Sequence, residues 1–402
     1  MISVNQARQK IIESAVPLAE KLVPAELSLS YHLTQDVLAD RPIPPFNRVA
    51  MDGFAVKSED FSEVETKLKI IGATAAGEVS AYKLQSGETV KIMTGAPLTE
   101  GADAVVKVEH SEIQGDYVLL RESGIKPGLN IANEGEDAQM GKLLLTKGQR
   151  LSPAAIAVCS SVGLASVGVY QKPKVKIICT GSEIIHPSQE PLAHQIRECN
   201  SYSLRSLCES LLLEAEFLGI VEDEPELLKE VIKKGLESDI LLLTGGVSMG
   251  DYDYVPQVLK ELGVKQIFHK VNLKPGKPVW FGKSSDNRYV FGLPGNPVSV
   301  QVNFKLFVEP LIKKLSGDHN PEPFFLRLPL LETITKKNSR EQYFAGKILN
   351  KDGRTYASQV AISGSGDFSS LASSQGLIRC PSDTELLQAE SYVEFLPWGG
   401  IC

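Results

Sequence analysis

Between Lys265 and Lys283 the chain carries five lysines and one histidine, with no acidic residue among them. In a protein of net charge -7 this is a local positive field, suited to a phosphate or another oxyanion. If Lys270–Lys274 is extended, Lys270, Asn272 and Lys274 share one face while Val271 and Leu273 pack inward. Two ammonium groups and an amide on one face would grip an anion, and the Lys274-Pro-Gly-Lys-Pro278 loop adjoins them. An edge strand with a solvated lysine face fits the same pattern.

Two further loops follow apolar runs: Thr180-Gly-Ser-Glu183, and Thr244-Gly-Gly-Val-Ser-Met-Gly-Asp-Tyr-Asp253. Gly245 and Gly246 permit close backbone approach, Ser248 offers a hydroxyl, and Glu183 and Asp253 offer carboxylates for a divalent cation or for ribose hydroxyls. Helix starts explain Glu183 and Asp253 equally, and Asp223, just before Pro225, reads as a cap. Leu293-Pro294-Gly-Asn-Pro297 precedes a helix whose free N–H groups could receive a phosphate; a plain strand-to-helix turn accounts for it as well. Asp52, in Ala-Met-Asp-Gly-Phe, and Thr94, in Thr-Gly-Ala-Pro97, lie in turn-forming segments well outside this region. There is no Walker motif, no zinc-ligand spacing and no Gly-x-Ser-x-Gly elbow.

The elements that would hold these loops follow from hydrophobic periodicity. Ile240–Leu243, Val271–Leu273 and Tyr289–Leu293 are short continuous apolar runs, as in strands buried on both faces of a parallel sheet. Ligands of such sheets bind beyond the carboxyl ends of the strands. From Val175 the pattern alternates: strand Val175–Cys179, helix Ser201–Leu213, strand Glu216–Val221, helix Pro225–Leu236, strand Ile240–Leu243 and helix Val255–Leu262. Ser3 caps a helix predicted through about Lys21, and Ser152-Pro153 opens another to about Val162. Short alternating runs from Thr66 to Arg121 predict an all-β module, and the last 80 residues return to strands and turns.

At 402 residues the chain has room for two to four domains. The acidic balance argues against a nucleic-acid-coating protein. Six cysteines without paired or metal-finger spacing fit a reducing cytosol. The amino terminus lacks a signal-peptide core, and no apolar run is long enough to span a membrane. A cytoplasmic protein with no membrane or nucleic-acid partner is expected.

Taken in order, Pro44-Pro-Phe-Asn-Arg-Val-Ala-Met-Asp-Gly-Phe-Ala-Val56, Ile92-Met-Thr-Gly-Ala-Pro97, Gly135-Glu-Asp137, Thr180-Gly-Ser-Glu183, Thr244 to Tyr254, Leu273-Lys-Pro-Gly-Lys-Pro278 and Gly292-Leu-Pro-Gly-Asn-Pro-Val298 form a specific set. The set resembles the molybdopterin molybdenumtransferase family, the MoeA proteins and the gephyrin E domain. That resemblance implies a multidomain α/β plus β chain. A mixed α/β linker domain would combine 1–44 with 134–171, a β-rich module would cover 45–133, a three-layer parallel α/β molybdopterin-binding domain 172–320, and a small β-barrel-like domain 321–402. It implies insertion of molybdenum from molybdate into adenylylated molybdopterin, with AMP released and Mg2+ assisting. The partners implied are a homodimer, with Asp52 of one subunit facing the α/β domain of the other, and the upstream molybdopterin adenylyltransferase.

By the same resemblance, Asp52, Thr94, Glu183, Lys270 and Lys274 act in catalysis. Asp137, Asp223, Asp253, Pro294, Pro297 and Ser365 bind substrate, joined, on the residue types of their own loop, by Gly245, Gly246 and Ser248, and Asp253 also takes the metal. The chain departs from the family pattern at Asn47, at Phe54, at Glu198-Cys199-Asn200 and at Ala345, which stands where an anion-contacting arginine is expected; either Arg340 or Lys347 replaces it or the contact is absent. The alternatives are the adenylyltransferase of the preceding step, whose fold resembles 172–320 alone, a non-catalytic scaffold of the gephyrin type, and a generic phosphotransferase.

Overall fold

The computed structural model describes residues 1–246, 254–364 and 366–399. Its centre is a six-stranded sheet. Strands Ala215–Val221, Val175–Thr180, Ile240–Thr244 and Tyr289–Leu293 run parallel in that order, followed by the antiparallel Trp280–Lys283 and then Lys265–His269 at the edge. Ile240 to Leu243 are each at most 1% exposed because helices cover both faces. Burying each such side chain contributes on the order of 1.5–3 kcal/mol, so the position of this strand is strongly fixed. Helices Asn200–Glu209 and Pro225–Gly235 cross between parallel strands, as the alternating pattern requires.

The run Val271–Leu273 does not become a third core strand. Lys270 adopts a left-handed conformation at φ +68, which takes its segment out of the sheet at a cost of about 1 kcal/mol. Val271 forms a bridge with Ile2, and Leu273–Lys274 pairs in parallel with Glu341–Gln342 of the terminal sheet. Val271 and Leu273 are fully buried while Lys270, Asn272 and Lys274 are half-buried. The alternation is therefore real, but its hydrogen-bonding partner lies in a distant part of the chain.

The remaining parts are β-rich. Residues 53–121 contain a six-stranded sheet with one parallel pair, Glu65–Thr74 with Glu88–Ile92. Glu20–Pro24 pairs with Ser166–Tyr170, and Leu38 with Leu143, joining the chain before and after that module. In the last part, strands Leu326–Pro329, Glu341–Lys351, Arg354–Gln359, Gly376–Cys380 and Tyr392–Pro397 form one sheet, and a Leu330–Ala357 bridge closes it on itself.

The first helix spans Val4–Ser14, with Ser3 and Gln6 completing a capping box. It stops short of Lys21 because Pro17 disfavours a helical Val16. The Ser14 carbonyl accepts from Lys283 Nζ at 2.6 Å and from Tyr289 Oη at 3.1 Å. Ala7 and Ile11 are buried with Val175, Leu242 and Phe307. This helix therefore packs on the α/β core and not with the linker strands that follow it, and Lys283 is a structural cation.

Candidate functional site

Strand register fixes where the chemistry-bearing loops emerge. His269 lies opposite Trp280, Trp280 opposite Gly292, Gly292 opposite Leu243, and Leu243 opposite Ile178, in one row across the central sheet. The segments leaving this row at the carboxyl ends of the parallel strands are Thr180–Glu183, Gly245-Gly246 and Pro294-Gly295. The tip of the edge hairpin, Lys270–Val279, leaves at the same end. Lys270 N donates to Val279 O at 2.9 Å and Val271 N to Lys277 O at 3.0 Å, holding that tip closed. Lys270, Lys274 and Lys277 are thus carried on the same rim as the glycine loops.

Direct contacts knit the rim together. A Cβ on Gly245 would lie 2.3 Å from the Thr180 carbonyl, at φ +88, so only glycine lets these two strand ends close up. A Cβ on Gly246 would lie 2.8 Å from Thr180 Oγ1 and 3.6 Å from Asp223 Oδ1, which puts Asp223 beside the loop. Gly245 N donates to Leu293 O at 3.2 Å. The Asn200 amide donates to Gly295 O at 2.7 Å, and its own Oδ1 is buried with no hydrogen-bond partner among the described residues. The lysine loop is anchored from behind: Asn303 Nδ2 donates to Gly276 O at 3.2 Å and to Ser299 O at 2.9 Å, on the helix that begins at Pro297.

The departure at Glu198 has a structural outcome. Its carboxylate is 5% exposed and accepts from Ser201 N and Ser201 Oγ, both at 2.6 Å, at the start of helix Asn200–Glu209. Cys179 Sγ lies 3.1 Å away, and burial, helped by the Glu198 charge, pushes that thiol up. Glu198 therefore organises the helix start that presents Asn200.

Asp52 and Thr94 form a separate cluster. Asp52 precedes strand Gly53–Val56, and Gly53 lies opposite Ile92, so the two strand ends coincide. Thr94 donates to Asp52 Oδ1 from both its backbone N–H and its hydroxyl, each at 2.6 Å. These bonds hold the exposed Asp52 carboxyl below its usual range. A Cβ at Gly53 would lie 1.9 Å from Val106 O, which explains why glycine follows the aspartate. Asp137 is exposed on the segment that returns beside Ile43, its N–H bonded to Ile43 O at 2.9 Å. No described contact joins Asp52, Thr94 or Asp137 to the α/β rim within one chain.

Glu183 is exposed on the rim, Pro294 buried and Pro297 half-buried in it. Ser248, Asp253 and Ser365 lie outside the described residues. Ala345 is buried between neighbouring strands, too short to reach an anion. Arg340 instead turns to the lysine segment, its Nη1 donating to Leu273 O at 3.2 Å. Asn200 and Asn303 are the contributors that sequence reasoning missed as site-forming; each acts through a side-chain contact to a carbonyl remote in the chain, Gly295 O and Gly276 O. Among the described residues, no three His, Cys, Asp or Glu side chains converge as metal ligands.

Comparison with known proteins covers the chain in three pieces. Residues 2–163 match the MoeA N-terminal region (domain I and II), 176–314 a probable molybdopterin binding domain, and 327–398 the MoeA C-terminal region (domain IV). A molybdopterin molybdenumtransferase of Staphylococcus epidermidis is 32% identical over 401 residues, 98% of this chain and 95% of that protein. One of Bacillus subtilis is 32% identical over 403 residues, covering 98% and 94%. The crystal structure of a molybdopterin biosynthesis MoeA protein from Pyrococcus horikoshii superposes with a TM-score of 0.85 at 31% identity, covering 99% of this chain and 100% of that one.

Proposed function

The chain belongs to the molybdopterin molybdenumtransferase family, and we propose on that premise that it inserts molybdenum from molybdate into adenylylated molybdopterin with release of AMP. The observation that carries this reading is the shared rim: backbone-lined strand-end loops and a lysine hairpin tip, all on one edge of the central sheet. An adenylyltransferase of the preceding step would need only the α/β part, whereas the family matches continue through 2–163 and 327–398.

The ligand is a dianionic phosphoanhydride flanked by two heterocycles, and molybdate is an oxyanion. Lys270 and Lys274 supply positive charge for the pterin phosphate and molybdate, in a cleft edge where field lines concentrate. Gly245, Gly246, Pro294 and Pro297 let the nucleotide approach the backbone, while Asp223 and the buried Asn200 Oδ1 accept ligand N–H or hydroxyl groups. The dithiolene sulfurs are themselves good nucleophiles toward the metal, so the protein's work is positioning and electrostatics. Glu183 and Asp52 orient the reacting groups, with Thr94 holding the Asp52 carboxylate in position. Ser248, Ser365, Asp137 and Asp253 complete the substrate contacts.

Mg2+ fits this donor set. It commonly takes one or two carboxylates together with phosphate oxygens and water, and Asp223 beside Gly246 offers such an oxygen, with Asp253 as the second ligand. When bound, it would shield the phosphoanhydride charge.

A homodimer completes the site, bringing Asp52 and Thr94 of one subunit to the rim of the other. Supporting this, Leu38 and Leu143 pair across two strands of the linker part yet are 51% and 47% exposed, and Leu22 and Leu27 of the same part are 74% and 67% exposed. Clustered apolar exposure of this kind marks interaction surfaces. The adenylylated substrate would arrive from an adenylyltransferase in the cytoplasm, and among the described residues no helix is long and apolar enough to cross a membrane.

The test supplies purified protein with adenylylated molybdopterin, molybdate and Mg2+, and follows AMP release together with active molybdenum cofactor. Asp52→Ala and Lys274→Ala should each lower turnover by about 10²–10³. Wild-type rates in both variants, or no AMP from the native protein, would refute the assignment.

A further inference from the structure

We infer that a cavity at the joint between the linker strands, the α/β core and the terminal barrel binds a small organic anion with an apolar body, separately from the strand-end rim. Its volume is about 550 Å³, within the range of small-molecule pockets. His32 and Arg150 come from the linker part, Lys305 and Lys313 from the last helix of the α/β core, and Trp398 from the terminal part.

The charge on its walls is unbalanced. Four cationic side chains, Arg150, Lys172, Lys305 and Lys313, face two carboxylates, Glu309 and Asp318. Glu309 is already committed to Lys305 at 2.6 Å and Lys313 at 2.8 Å. Asp318 lies 3.7 Å from His32. Among the described residues, Arg150 and Lys172 have no carboxylate within ion-pair distance. Arg150 reaches only Ser30 Oγ at 2.7 Å, and Lys172 only the Leu212 carbonyl at 3.1 Å and the face of Tyr31 at 4.4 Å. Burial, together with the charges of Lys21 and Arg150, pushes the Lys172 ammonium down. An anion placed between Arg150 and Lys172 would relieve that repulsion.

Two independent features mark the same place. His32 is only 6% exposed, and its ring nitrogens have only loose neighbours, Asp318 Oδ2 at 3.7 Å and the Ser316 backbone, with no close hydrogen bond among the described residues. Leaving a buried polar group unmatched costs about 1–3 kcal/mol, so a polar ligand atom has a waiting partner. The helix beginning at Pro297 also widens to a π-helical turn over Phe304–Val308, in which Lys305 sits and from which its Nζ reaches Trp398 O at 3.1 Å. Such turns recur at functional sites. Leu211, Leu213, Ile312 and Trp398 give the cavity apolar walls as well, which a bare inorganic anion would leave unused.

The probe is 1-anilinonaphthalene-8-sulfonate, whose sulfonate and fused rings match this mixed lining, titrated calorimetrically into the full-length protein. We expect saturable binding at one site per chain, at least tenfold weaker in Arg150→Gln/Lys172→Gln and unchanged in Lys274→Ala, which alters only the rim. If the double variant fails to fold, Lys172→Met, which keeps the length of the side chain, gives the same readout. Unchanged affinity in the cavity variants, or a loss caused by Lys274→Ala instead, overturns the proposal.

Discussion

Asn200 and Gly295 are tied across the rim of the central sheet: the Asn200 side-chain amide donates to the Gly295 carbonyl at 2.7 Å. One bond thus couples the helix that follows strand Val175–Thr180 to the loop that follows strand Tyr289–Leu293. Removing it frees that loop without opening the core.

Asn200→Ala should therefore raise the KM for adenylylated molybdopterin about fivefold, the equivalent of a hydrogen bond of about 1 kcal/mol. Thermal stability should change little. Steady-state kinetics beside a melting curve separates the two; a large drop in Tm with KM unchanged would contradict a role at the rim.

Thr94 favours the ionised form of Asp52 and fixes its position through two hydrogen bonds to one oxygen. Because they favour the ionised form, the folded-state pKa lies below the ordinary value. Their stabilising effect is present above that ordinary value and is lost as pH falls through the depressed folded pKa. In Thr94→Val the hydroxyl bond is gone, and the Asp52 carboxyl should titrate at higher pH. Carbon-13 NMR of the side chain reads this directly. The acid limb of the AMP-release profile should move the same way.

Arg340 holds the Leu273 carbonyl, one residue before Lys274. Arg340→Ala should lower kcat/KM about tenfold, while circular dichroism stays native. Arg340→Lys should recover part of the loss, because a single ammonium can reach a carbonyl but lacks the guanidinium fork. Activity unaltered in Arg340→Ala would remove this residue from any positioning role.

Glu309 is buried between Lys305 and Lys313. Burial alone would raise its pKa, but the two ammonium groups prevail and hold it below the ordinary value. Its contribution is accordingly full above that value and lost as pH falls through the folded pKa. Glu309→Gln leaves Lys305, with only 8% of its side chain exposed, without its counter-charge. The expected cost is about 3–5 kcal/mol by urea denaturation at pH 7. The apolar pair Lys305→Met/Glu309→Leu should recover most of it.

How far the sequence could be read depended on whether each interaction was local. The strands Ile240–Thr244 and Tyr289–Leu293 announced themselves as continuous apolar runs, and Ser3 and Ser152 as caps, because burial and capping act within a few residues. The motif set, read together, placed the chain in its family. Lys270–Lys274 was harder. Its inside–outside alternation was visible, but a left-handed Lys270 and a pairing partner at Glu341–Gln342 leave no local trace. Pro17 marked the end of the first helix locally, but no spacing said that the helix would dock on the α/β core, where Lys283 and Tyr289 secure it from far along the chain. The Asn200 tether and the lock on Gly276 by Asn303 were equally unreadable, both being side-chain contacts to remote carbonyls.

Since Leu273–Lys274 takes its ladder from Glu341–Gln342, the carboxyl-terminal barrel is not a detachable accessory. A chain ending at Asn320 would retain the parallel strands of the central sheet and the loops that follow them, yet Leu273–Lys274 would lose the strand along which it lies. The strand beginning at Glu341 and the lysine-bearing segment thus form one ladder, and a shift in either is felt by the other.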